Sequence, residues 1–84
     1  MLIRTKFLGA TDTLGARIAV QPVDPRRGYR FVFPYDYAAH CAHAVAAEKW
    51  WSRMRSEHPH GEDMEVSMAD SYPQGYYFLI SAPI

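Results

Sequence analysis

Apolar and polar residues alternate in short runs along this chain, and glycines and prolines break the runs. Met1 to Leu8 alternates loosely and ends in Phe7 and Leu8, which predicts a strand. Gly9 to Gly15 gathers Gly, Thr and Asp, the residues of a loop. Next, Ala16, Ile18 and Val20 alternate with Arg17, Ala19 and Gln21. That pattern predicts a half-buried strand with the first set facing the core. Pro22 to Gly28 holds two prolines, Asp24 and Gly28, and suits a hairpin loop. Tyr29 to Phe33, aromatic and β-branched, is the expected return strand. Pro34 ends it, because proline has no N–H to donate to a ladder.

The period then changes. Asp36 is a candidate N-cap, and no Gly or Pro interrupts Tyr37 to Arg55. The alanine-rich run from Ala38 to Ala47 favours helix. At 100° per residue, Ala38, Cys41, Ala42, Val45 and Ala46 form one stripe. Trp50 and Met54 lie on a shifted stripe, with Trp51 further round. The apolar face therefore either rotates or leaves one tryptophan exposed. Pro59 and Gly61 stop the helix.

Beyond them, Met64, Val66 and Met68 alternate with Glu65, Ser67 and Ala69, which predicts a half-exposed strand. Asp70 to Gly75 reads as a turn. Gly75 to Ser81 is apolar on both faces, as in a strand at or near a sheet's centre. The expected fold is one α+β domain spanning residues 1–84. Its elements run β-β-β-α-β-β, giving an antiparallel sheet of about five strands with one helix packed on one face.

Composition narrows the function. The single cysteine, Cys41, cannot form an internal disulfide and suits an intracellular chain. No apolar run reaches the roughly 20 residues of a membrane span, and none at the start resembles a signal peptide. The expectation is a soluble cytoplasmic protein. Net charge is zero, but residues 1–35 carry about +4 and residues 56–84 about −5. The bases are Arg4, Lys6, Arg17, Arg26, Arg27 and Arg30; the C-terminal acids are Glu57, Glu62, Asp63, Glu65 and Asp70. Such asymmetry marks an interaction face, or else two segments that neutralise each other or form solvated surfaces.

Catalytic patterns are weak. His40 and His43 are spaced i, i+3, but the set with Cys41, His58 and His60 matches no standard zinc spacing. Cys41 points about 100° from His40 on a helix and reads as a small buried hydrophobe. No serine stands in a nucleophile-elbow context, and the Glu62-Asp63 pair has nothing to raise either pKa. The expectation is a binding protein, not an enzyme, with no cofactor and no metal. One surface for binding is the acidic one: Glu57, Glu62, Asp63, Glu65 and Asp70, with Tyr72 as an aromatic anchor, would imitate phosphates on a basic groove. The alternative is nucleic-acid binding by the hairpin bases Arg17, Arg26, Arg27 and Arg30 with Tyr29 and Phe31.

Three segments carry a resemblance: Thr5-Lys6-Phe7-Leu8-Gly9-Ala10-Thr11-Asp12-Thr13-Leu14-Gly15-Ala16-Arg17-Ile18, Pro34-Tyr35-Asp36-Tyr37-Ala38, and Gly75-Tyr76-Tyr77-Phe78. In this order they resemble a family of very small proteins encoded on phages, plasmids and other mobile elements. The resemblance covers most of the chain and is structural, with no catalytic residue to carry over. Some small mobile-element proteins of this kind are anti-CRISPR inhibitors that bind type I surveillance complexes and often block target-DNA access. The chain departs from the family at Trp50-Trp51-Ser52-Arg53 and in its His-Pro-His-Gly loop. The resemblance implies a stoichiometric inhibitor of a bacterial CRISPR–Cas effector, acting in the host cytoplasm as a DNA mimic.

Overall fold

The computed structural model describes residues 1–58 and 63–82. The alternating segments become five strands: β1 (Leu2–Leu8), β2 (Arg17–Pro22), β3 (Phe31–Pro34), β4 (Glu65–Tyr72) and β5 (Gly75–Ser81). All pair antiparallel, in the order β3-β2-β1-β5-β4, so β1 is central and β3 and β4 are the edges. One helix, α1 (Ala42–Met54), lies across one face of this sheet, which makes the fold α+β. None of the described helices is long and apolar enough to cross a membrane.

The core lies between helix and sheet. Ile3, Ile18, Val20, Phe33, Phe78 and Ile80 meet Ala42, Ala46, Ala47, Trp50, Trp51 and Met54. The alanines let α1 sit close, and the tryptophans fill the wider gap near its C-terminal end. Trp50 Nε1 donates to the Tyr29 carbonyl at 2.7 Å, so its one polar atom is satisfied. Gly28 is required beside it: a Cβ there would come within 2.9 Å of Trp50 Cζ2. Buried Thr5 links four segments. Its Oγ1 lies 2.7 Å from His43 Nδ1 and accepts from the Tyr76 amide at 3.2 Å, and its carbonyl accepts from the Tyr72 hydroxyl at 2.6 Å.

Three expectations need correction. The helix begins at Ala42 rather than Tyr37, because the Asp36 carboxylate accepts from Ala38 N at 3.0 Å and holds a local turn instead. Cys41 becomes the N-cap residue, in an extended conformation. With Ala38 and Cys41 outside the helix, the tryptophans set its phase. Both are buried, Trp50 at 0% and Trp51 at 4% exposure, and Val45 moves to the rim. Finally, β4 runs on through Asp70 and Ser71 to Tyr72, past a bulge between Met68 and Asp70, and only Pro73 and Gln74 form the turn. Val66 on this edge strand still packs against the core, but Met68, beside the bulge, is 52% exposed despite its apolar alternation.

Candidate anion-binding face

Among the described residues, no helix covers the second face of the sheet. Strand alternation decides what stands there. In β1, Ile3 and Thr5 point into the core, so Leu2, Arg4 and Lys6 point out. Register supplies their neighbours: Arg4 lies between Gln21 and Tyr77, and Lys6 between Ala19 and Gly75. Arg30, just before β3, joins them. Ala19 is small and Gly75 has no side chain, so long side chains surround a low floor. The result is a hollow of about 300 Å³ lined by Arg4, Lys6, Ala19, Gln21, Arg30, Tyr72 and Gln74.

Its walls are held in place. The Tyr72 ring is fixed through the bond to the Thr5 carbonyl and packs on Tyr77 with ring centroids 5.1 Å apart. A Cβ at Gly75 would land on that same Thr5 carbonyl, so glycine is needed where β1 and β5 approach. The backbone carbonyl of Gln74 accepts from Phe7 N at 2.8 Å. With the Gln21 amide oxygen turned toward Arg4, it accepts from Arg4 Nε at 3.0 Å.

The hollow is rich in donors and has no carboxylate in its lining. Among the described residues the ion pairs are Arg26–Asp24 at 3.1 Å and Arg27–Asp24 at 4.0 Å, both in the β2–β3 loop. Arg4, Lys6 and Arg30 thus have no carboxylate partner among the described residues. Burial pushes the Tyr72 phenol above its ordinary pKa, with the Arg4 charge opposing and Tyr77 adding to the rise, so Tyr72 remains a neutral donor. In the loop, the hydrogen bond from Arg26 holds the Asp24 carboxyl below its ordinary value.

The acidic residues are not brought together. Glu57 closes a 3-10 turn after α1 and borders the β2–β3 loop beside Arg26 and Arg27. Asp63 is exposed just before β4, and Glu65 opens β4 opposite Ser81. Asp70 follows the bulge opposite Tyr77, five residues further along, or roughly 16 Å at strand spacing. Glu62 lies outside the described residues. Tyr72 lines the hollow with the bases, two residues along β4 from Asp70.

The basic hairpin also divides. Arg26 and Arg27 are tied to Asp24 in the loop, and Arg17 is half-buried at the other end of β2, opposite Leu8 and Pro34. Of the four, only Arg30 reaches the hollow, whose other cations, Arg4 and Lys6, come from β1. Sequence reasoning passed over Arg4, Lys6, Gln21 and Gln74 as site residues. The i, i+2 spacing of Arg4 and Lys6 was a usable signal; the others depend on strand order. His40 precedes α1 and His43 lies in its first turn, so they do not share a helix face. Among the described residues no group of three or more His, Cys, Asp or Glu side chains is arranged to hold a metal ion. The Thr5–His43 pair pairs a hydroxyl with an imidazole, but Thr5 is 0% exposed and cannot meet a substrate.

Compared with protein-family models, curated proteins and solved structures, the chain finds no match.

Proposed function

We propose that the protein is a small nucleic-acid-binding module that works through the open face of its sheet. One observation carries this reading: Arg4, Lys6 and Arg30 converge with Tyr72 on a single hollow, and among the described residues none of them pairs with a carboxylate. Cations and aromatic rings on a sheet are the means by which proteins hold phosphates and stack bases. The zero net charge argues for modest affinity, since strong binders carry positive excess. The test is a gel shift with labelled DNA and RNA at low and moderate salt. Binding that weakens steeply with salt supports the reading. No shift at either salt removes it.

A second reading, the inhibitor of a type I CRISPR–Cas effector, draws on the acids. Glu57, Asp63, Glu65 and Asp70 are exposed, and none makes an ion pair among the described residues. Their charge is therefore free to meet a basic partner surface. Pull-down with purified effector complexes tests this, alongside a variant in which these four and Glu62 become Gln or Asn. Capture that survives neutralisation would sink the electrostatic mimic.

A further inference from the structure

The open face is not uniform from edge to edge, and the order of its residues carries information about the ligand. On the β1–β2–β3 side stand the cations Arg4, Lys6 and Arg30. On β5 stand Tyr77 and Leu79, two residues apart and on one face, with the Tyr72 ring packed against Tyr77. Leu79 is 41% exposed, and Leu2 beside it is also exposed. On the outer strand β4 stand Glu65 and Asp70. The face therefore reads, from one edge to the other, as cations, then aromatic and apolar surface, then acids.

We infer that this face takes one single strand of nucleic acid, with a phosphate in the Ala19-floored hollow and the adjoining base on the Tyr72–Tyr77 pair. The inference rests on the nucleic-acid reading and deepens it. The hollow presents donors from Arg4, Lys6 and Arg30, the complement of phosphate oxygens. The neighbouring rings offer a π-face, which only an unstacked base can cover. A duplex is disfavoured by the far rim. Two strand spacings, about 10 Å, separate Arg4 from Asp70, and four, about 19 Å, separate β3 from β4. A second phosphate backbone laid across the face would come over Glu65 and Asp70, where like charge repels it. One backbone on the cationic side, with bases turned toward β5, meets no such repulsion.

Fluorescence anisotropy with a dye-labelled oligo-dT of about twelve nucleotides tests this against two controls, a duplex and an abasic strand of equal length. The intact protein binds oligo-dT about tenfold tighter than either control. Replacing both Lys6→Ala and Arg30→Ala weakens oligo-dT about tenfold or more and lowers the salt slope by about 0.7, the value for one phosphate contact on a single strand. Tyr77→Leu weakens it about tenfold and leaves the slope unchanged. Ala19→Leu, which fills the hollow without changing charge, weakens it as well. A circular-dichroism melt of each variant confirms folding; Lys6 and Arg30 are exposed, so their removal leaves the core intact. Equal affinity for oligo-dT, duplex and abasic strand overturns the single-strand inference while nucleic-acid binding stands. So does full binding by both the double variant and Ala19→Leu. No binding of any oligonucleotide at about 50 mM salt overturns the nucleic-acid reading itself.

Discussion

The two faces of one sheet differ in what fixes their residues. On the covered face, Ile3, Ile18, Val20, Phe78 and Ile80 are buried beneath α1, and each is selected for shape and apolar area. On the open face, the residues next in sequence carry Arg4, Lys6, Gln21, Tyr77 and Leu79, and burial places little demand on them. Ala19 is the exception, being buried there at 4% exposure because longer side chains close around it. The contrast separates residues on which stability depends from residues it leaves free. Substitutions on the covered face should unfold the protein, and those on the open face should leave the fold and change what it binds.

The largest effect belongs to Trp50→Ala. It removes a fully buried tryptophan and takes the Nε1 donor from the Tyr29 carbonyl, so urea denaturation should show a loss of about 3–5 kcal/mol. For an 84-residue domain that is a large share of the stability, which is about 0.05–0.15 kcal/mol per residue. A loss below about 1 kcal/mol would break the comparison.

Gly75→Ala comes next and tests the point where both faces depend on one strand approach. The new methyl meets the Thr5 carbonyl and forces β1 and β5 apart, costing about 1–3 kcal/mol by thermal melting. The same shift displaces Tyr72, whose hydroxyl bonds that carbonyl. Unaltered stability in this variant would show that the close approach is not needed.

A smaller effect comes from pH. Burial lowers the His43 pKa below its ordinary value of 6.5. The unfolded chain therefore takes up the proton first as pH falls. Stability from this group is full above pH 6.5, declines as pH drops below it toward the folded value, and levels off once both states are protonated. His43→Gln should flatten the stability profile in that window, and a wild-type profile already flat there would contradict the sign.

The smallest effect sharpens the comparison from the other side. Lys6→Ala and Arg30→Ala, singly, should move the melting free energy by no more than about 0.5 kcal/mol. A larger change would mean that the open-face cations hold the fold together and are not free for a ligand.

Much of this fold was legible because its strands alternate cleanly. Ile18 and Val20 were placed in the core from their period alone, and Pro34 marked the end of β3 for want of an N–H. The helix start was not legible. Alanine propensity favours helix from Ala38 onward, yet propensity is weak beside packing, and the chain turns at Asp36 until Ala42 reaches the sheet. The site was half legible. Arg4 and Lys6 share a face at two-residue spacing, whereas their meeting with Tyr72, Tyr77 and Arg30 depends on β1 lying between β2 and β5.

The sequence by itself determined the local elements, the polar face of each strand and the opposite charge of the two ends, because these follow from side-chain period and composition over a few residues. Only the tertiary structure decided which polar faces became neighbours. Strand order is chosen by the burial of the opposite, apolar face beneath Trp50 and Trp51, and nothing in the spacing of the polar residues encodes it. That choice set the cations beside the tyrosines, placed Glu65 and Asp70 on the outer strand β4, and made one face of the sheet a core and left the other open.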